Sequence, residues 1–430
     1  MSSRRKFIQN LSNTALLVGS GSISKLLAEE SYETRIIPWE KRISSNDKIR
    51  IAVIGTGIQG HSDLQAALKV PGVELAAACD LYTGRLERMK ELYGKDLFTT
   101  KDYREVLEKK DIDAVILAIS DNWHSRISID ALNKGKHVYC EKPMVHKLSQ
   151  GQEVINTWKK SGKVMQIGSQ GISGASFAKA KELFKAGEIG KINCIEATYD
   201  RQSAIGAWQY TIPTDESPQT VDWDRYVSLM NPRPRYDAKK FFWWRNYKDF
   251  GTGMSGDLFV HLLTGIHYVT GSMGPTKIVS AGQLAYWKDG RDVPDVMVSI
   301  MDYPETKEHP AFQTMLRVNF ISGGGDRSVV RYIGSEGVME KTWDGVRVAY
   351  SQMPKAPGIG GWDSLSTYPQ AMQDELMKKY NEKWTADDRK RIQKQAIQYR
   401  APEGSNDHVE HFANFFEGIR NNKPVIEDPI

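Results

Sequence analysis

Ile51-Ala52-Val53-Ile54-Gly55-Thr56-Gly57-Ile58-Gln59-Gly60 is the stretch on which the reading of this 430-residue chain turns. Residues 51–54 are apolar and partly β-branched, as a buried parallel strand requires, and 61–69 carry a helical pattern. Gly55, Gly57 and Gly60 fill the G-x-G-x-x-G spacing. The first permits a tight turn, the second lets a pyrophosphate approach the backbone, and the third lets helix and strand pack closely. The phosphates would sit on the free N–H groups at the helix start, near Ile58 and Gln59. A second strand, Val73–Cys79, ends at Asp80, twenty residues beyond Gly60. Its carboxylate would accept hydrogen bonds from both hydroxyls of an adenosine ribose and repel a 2′-phosphate, which favours NAD over NADP. The glycines alone are weak evidence. Strand, glycines, helix and acid at this distance together specify a dinucleotide site.

The pattern extends outward in both directions. Strands at 97–99, 114–118, 137–140 and 164–167 alternate with helices at 84–93, 102–108, 125–134 and 150–160, and Gly135 stops one of them as a C-terminal cap. Such alternation predicts a doubly wound parallel sheet over 48–171. Beyond 171 the rhythm changes to a helix at 177–186, a strand at 194–199, an irregular aromatic-rich stretch at 201–250 and a helix at 254–269. Strands then follow without helices between them, at 277–285, Val296–Tyr303, 313–320, 328–333 and 346–350. The expected second domain, 172–402, is therefore α+β with an open, mostly antiparallel sheet. One face of that sheet should be partly free, a surface for a homodimer or homotetramer. Residues 353–402 read as an insertion ending in a lysine-rich surface helix. Asp407–Asn421 has helical periodicity with Val409, Phe412, Phe416 and Ile419 as its stripe, and 403–430 is set down as a separate C-terminal helix.

Composition is that of an ordinary globular protein, 40% apolar and 26% charged. A net charge of +5 from 58 basic and 53 acidic residues, without a long basic block, does not suggest nucleic acid. Eleven tryptophans suit sugar stacking, although each taken singly is more often a core residue. The three cysteines, Cys79, Cys140 and Cys194, are an odd number without zinc spacing, and buried thiols folded in a reducing compartment are expected. No metal is expected. Ser3-Arg4-Arg5-Lys6-Phe7-Ile8, followed by a weakly apolar stretch to Ala28, looks like the twin-arginine export motif of bacteria. That route carries folded proteins, so a periplasmic location is expected, with a cytoplasmic one as the alternative. Segment 1–28 is then a signal and 29–47 a linker. No segment suits a membrane span.

Three motifs resemble the glucose–fructose oxidoreductase/inositol dehydrogenase family, Gfo/Idh/MocA. They are the dinucleotide turn, the helix–Gly–strand run from Ala131 to His137-Val-Tyr-Cys-Glu141-Lys142-Pro143, and Gly251-Thr-Gly-Met-Ser-Gly-Asp257-Leu-Phe-Val-His261. The resemblance implies NAD as cofactor, a sugar, glycoside or polyol as substrate, and Lys142 facing both, with a cis peptide before Pro143. An alcohol that loses hydride must also lose its hydroxyl proton, and Lys142 or His261 would handle it. Asp257 and His261, four apart on an expected helix, share a face, so Asp257 would orient His261 or bind a hydroxyl. An unperturbed imidazole would titrate near the working pH. Which of the two is the base stays open. Ser120, Asn122 and His124 resemble the segment beneath the nicotinamide ribose, with Glu141 beside them, although Ser120 or Asp121 serves equally as a plain helix cap. Trp244, Arg245, Tyr247 and His267 are substrate-side candidates, and a packed aromatic loop explains the first three as well. Two departures stand out: Gly168-Ser-Gln170 lacks a following arginine, and the chain stops at Ile430 where the family continues, as a truncated chain would. Rival readings are a NAD-dependent glycosidase that oxidises transiently and eliminates, and a non-catalytic NAD-binding regulator.

Overall fold

In the computed structural model, which describes residues 48–343, 345–391 and 394–430, the first half alternates strand and helix. The order is β1 (Ile49–Ile54), α1 (Ile58–Ala67), β2 (Val73–Cys79), α2 (Thr83–Tyr93), β3 (Phe98–Thr100), α3 (Tyr103–Glu108), β4 (Ala114–Leu117), α4 (Asp121–Asn133), β5 (His137–Glu141), α5 (Gly151–Ser161) and β6 (Met165–Gly168). The strands form one parallel sheet in the order β3-β2-β1-β4-β5-β6. Order reverses between β1 and β4, which opens a crevice at their carboxyl ends. Every residue of β4 is buried, because helices cover both faces of the sheet. The expected export segment 1–28 and linker 29–47 lie outside the described residues.

The second half contains α6 (Ala175–Lys185), β7 (Ile192–Asp200), α7 (Val260–Thr270), β8 (Lys277–Gln283), β9 (Val296–Tyr303), β10 (Phe312–Asn319), β11 (Arg327–Gly334), β12 (Gly337–Lys341), β13 (Gly345–Tyr350), α8 (Gln370–Lys383), β14 (Ile397–Arg400) and α9 (Asp407–Asn421). Eight strands form a sheet in the order β14-β13-β12-β11-β7-β10-β9-β8, in which the β7–β10 pair is parallel and the other pairs are antiparallel. Ile195, Ala197, Leu316, Val318 and Tyr332 line its inner face against Phe177, Leu183, Leu262 and Ile266. On the opposite face Val279, Ile300 and Met315 stand in register and exposed. α8 buries no residue, as its charged sequence predicts.

Four elements differ from expectation. β12 and β14 were not read. Both are short, and β14 falls in the supposed insertion, where its partner β13 supplies the pairing. The helix expected over 254–269 begins as a π-helix, Ser255–Phe259, before α7 takes over. α9 is no separate appendage. Its Phe412, Phe415 and Phe416 are fully buried against Tyr139 of β5 and Leu64 of α1, with Tyr139 and Phe412 stacked at 4.1 Å. Cys79 and Cys140 are buried, Cys194 is half-buried, and all three are unpaired. Among the described residues no helix is long and apolar enough to cross a membrane.

Candidate active site

The glycine turn between β1 and α1 separates its three glycines by role. A Cβ on Gly55 would lie 2.3 Å from the Ala118 carbonyl oxygen, and one on Gly60 would lie 1.9 Å from that of Gly55. On Gly57 the nearest atoms would belong to the Arg85 guanidinium at 3.5 Å. Gly55 and Gly60 are thus demanded by backbone packing, whereas a Cβ on Gly57 would meet only the Arg85 side chain, at ordinary contact distance. α1 has no side-chain cap at Gly57, so its first N–H groups are available to an anion. Asp80, at the end of β2, is held by the N–H groups of Thr56 (2.8 Å) and Tyr82 (2.9 Å), and Arg85 lies 3.4 Å from its carboxylate. Arg85 is a neighbour the sequence reading did not weigh. A cavity of about 530 Å³ runs from Gly55, Gly57, Ile58 and Asp80, past Ser120, to Glu141 and Lys142. Tyr226, Phe241, Phe242 and Trp244 from the aromatic stretch line it. Open turn, free helix terminus, carboxylate and long cavity fit a dinucleotide.

A second cavity, of about 480 Å³, lies between the crevice and the inner face of the large sheet. Gln59, Glu141, Lys142, Tyr210 and Arg245 border both. Lys142, joined to Pro143 by a cis peptide, projects from the end of β5 into the junction. Its Nζ donates to the Asp257 carboxylate at 2.6 Å and to the Asp257 carbonyl oxygen at 3.0 Å. Arg245 Nε donates to the same carboxylate at 3.3 Å while its guanidinium lies 4.2 Å from the Trp244 ring centroid. Although burial opposes it, the two cations hold the Asp257 carboxyl well below the usual range. His261 lines the second cavity with its ring 6.2 Å from that of Tyr199. Burial, reinforced by the charge of Lys142, lowers its pKa to about 3, so the imidazole is neutral across the physiological range. The expectation of a freely titrating His261 is corrected accordingly. Asp257 spends its carboxylate on Lys142 and Arg245 rather than on His261. In a π-turn four residues do not complete the same arc as in an α-helix.

Beneath Lys142, Gln59 Nε2 bridges Asp63 (2.9 Å) and Glu141 (3.2 Å), and Gln170 donates to Glu141 and to the Tyr139 hydroxyl. Burial pushes the Asp63 carboxyl well up. The two modules are tied close by. Asp121 accepts from the Thr252 N–H at 2.8 Å and hydroxyl at 2.6 Å, which fixes the start of α4 against the turn before Asp257.

Several predicted contacts lie elsewhere. Asn122 and His124 fall in the first turn of α4, which directs them inward, and neither lines the crevice. Asn122 accepts from Ser120 at 2.7 Å, and His124 Nδ1 lies 2.6 Å from the Pro143 carbonyl oxygen, bracing the loop that carries Lys142. Gly60 serves packing. Tyr247 is buried in the aromatic core, and His267 meets the Tyr303 hydroxyl at 2.8 Å on the far side of α7, so neither reaches a cavity. Trp244 borders the cofactor cavity rather than the second one. Tyr199, Arg201, Tyr210, Lys341 and Trp343 line the second cavity and were not read as site residues. The aromatic composition of 201–250 was the one available signal, because a strand residue's partners depend on sheet order. No cluster of metal-ligating side chains occurs among the described residues.

Residues 49–169 match the Gfo/Idh/MocA model described as "Oxidoreductase family, NAD-binding Rossmann fold". Inositol 2-dehydrogenase of Salmonella typhimurium is 30% identical over 175 residues, 40% of this chain and 50% of that protein. A glycosyl hydrolase family 109 protein of Shewanella baltica is 26% identical over 212 residues, 46% of this chain and 45% of that one. The chain thus spans about half the length of these curated relatives. A levoglucosan dehydrogenase solved with NADH and levoglucosan shares the fold, with a TM-score of 0.62 at 15% identity over 89% of this chain and 92% of that one. Over residues 49–169 the chain is thus similar to the NAD-binding Rossmann domain of the Gfo/Idh/MocA oxidoreductase family.

Proposed function

We propose that the chain is an NAD(H)-dependent oxidoreductase that moves hydride to or from a carbinol carbon of a sugar, glycoside or polyol. The observation that carries this reading is the position of Lys142, paired with Asp257 where the cofactor cavity opens into the second cavity. The bound nicotinamide would supply the hydride acceptor. Within the chain, the Lys142 ammonium, oriented by Asp257, would stabilise negative charge developing on the substrate oxygen. The neutral His261 imidazole would accept the hydroxyl proton. Arg245, stacked on Trp244, holds Asp257 and is placed to bind a substrate hydroxyl. A relative named inositol 2-dehydrogenase supports a polyol or sugar substrate.

One observation favours a second reading, transient oxidation followed by elimination of an aglycone and re-reduction. Tyr226, Phe241, Phe242 and Trp244 give the cofactor cavity an aromatic wall, which suits a dinucleotide that stays bound through turnover. A relative named as a glycosyl hydrolase fits the same chemistry. Export through the Ser3–Ile8 motif to the periplasm, where free NAD is scarce, would make retention necessary. Native mass spectrometry of the purified chain should find retained dinucleotide. A panel of polyols and glycosides, followed by reduced-cofactor absorbance and by product analysis, then separates the readings. Reduced cofactor accumulates in the first, whereas glycoside is cleaved without accumulation in the second. A chain that binds no pyridine dinucleotide overturns both.

We propose further that the exposed sheet face pairs copies into a homodimer or homotetramer. Val279, Val298, Ile300 and Met315 are 57%, 39%, 48% and 47% exposed there, a contiguous apolar patch on an otherwise charged surface.

A further inference from the structure

The second cavity has a cationic end away from Lys142. Lys341 closes β12, and its side chain enters the cavity from the inner face of the sheet. It is 9% exposed, with Nζ 3.5 Å from the centroid of the Phe177 ring. Among the described residues its ammonium makes no ion pair and no hydrogen bond; the Phe177 face is the partner it has. The cavity's other lysine and arginine side chains are engaged. Lys142 and Arg245 share Asp257, and Arg201 donates to the Gly206 carbonyl oxygen at 3.0 Å. Burial lowers the Lys341 pKa to about 8, against the field of Asp407, the acid nearest in effect. An ammonium desolvated in this way is costly unless an anion reaches it.

We propose that Lys341 is the subsite for a carboxylate of the substrate, so that the substrate class is a carboxylate-bearing sugar or glycoside. This rests on the reading of the second cavity as the sugar pocket. Lys341 opposes Val330 on β11, which opposes Ala197 on β7, and Tyr199 stands two residues further along β7. Two strand spacings, about 10 Å, therefore separate Lys341 from the strand whose Tyr199 meets His261. That span exceeds a single sugar ring. Tyr199 and the exposed Trp343, edge to face at 5.8 Å, offer apolar faces along the way. A single ammonium with Asp407 nearby suits a monoanionic carboxylate, whereas a phosphate dianion would be left half neutralised and close to an acid.

The test uses the full chain with NADH bound and reads binding, not turnover, by calorimetry. Probes are paired acid against neutral: D-glucuronate and D-glucose, D-galacturonate and D-galactose, cellobiouronate and cellobiose. In at least one pair the acid should bind about 10- to 100-fold more tightly, the margin of a charge-assisted hydrogen bond. Lys341→Met should abolish that margin and leave the neutral partner's affinity and NADH retention unchanged, while Lys341→Arg keeps most of it. Equal or tighter binding of the neutral member in every pair overturns the proposal, as does the absence of binding by any acid or a margin that survives Lys341→Met. If Lys341→Met does not fold, the wild-type margin and the Arg variant still decide. A neutral polyol oxidised without any acid margin sinks this subsite and keeps the redox reading. An acid bound through Lys341 but never oxidised does the reverse.

Discussion

At the scale of single residues, the Asp257 carboxylate is the group on which the site's charge balance depends. It lies between Lys142 and Arg245, with its side chain 5% exposed. Removing the acid strands two cations, whereas removing Lys142 leaves Asp257 still paired with Arg245. Asp257→Asn should therefore cost about 3–5 kcal/mol of stability in urea titration and Lys142→Met clearly less, while both abolish turnover. Equal stability losses would mean that Arg245 does not share the charge. The depressed Asp257 carboxyl adds stability that is present above the ordinary carboxylate range and lost only as pH falls below it. His261 acts in the same sense at higher pH. Its folded pKa of about 3 lies below the unfolded value, so the unfolded chain binds the proton first, and stability is lost as pH falls from about 6.5. The kcat/KM profile should accordingly show no limb near pH 6.5. A limb there that disappears in His261→Gln would mean an imidazole that titrates freely. The residue types were legible in the sequence, but the shift was not, because burial and the approach of Lys142 come from separate modules.

At the scale of elements, the β1–α1 turn separates folding from binding. Gly60→Ala puts a methyl group into the Gly55 carbonyl and should destabilise the fold by more than about 2 kcal/mol, whereas Gly57→Ala meets the Arg85 guanidinium at ordinary contact distance and should fold normally. NADH affinity should nevertheless fall at least tenfold in Gly57→Ala, since the methyl group enters the space for pyrophosphate. Thermal melts with and without NADH measure both effects, and a Gly57→Ala protein that binds NADH normally would contradict the assigned role. This turn was readable because all its determinants lie within about thirty residues of chain. The π-turn at Ser255–Phe259 was not. Its apolar spacing matches that of an α-helix, so the wider turn has no local signature.

At the scale of the whole molecule, the large sheet has an outer face divided along one row. Val279, Ile300 and Met315 lead into Glu196, Arg331, Glu340 and Arg347 across successive strands. A two-fold axis through the apolar half would pair that half with its own copy. If this face pairs copies as proposed, Ile300→Glu should yield monomers in light scattering, with NADH binding retained. An unchanged mass would place the interface elsewhere. The sequence by itself determined the alternating module and its dinucleotide turn, since these follow from short-range periodicity and spacing, whereas Lys142, Asp257 and His261 were singled out by the resemblance of their motifs to the Gfo/Idh/MocA family. Tertiary structure alone decided that α9 returns to cover β5, that Asn122, His124, Tyr247 and His267 turn away from the cavities, and that Lys341 enters one of them. Strand order and the docking of distant helices are set by long-range burial, and no local pattern in the chain encodes which apolar face will meet which.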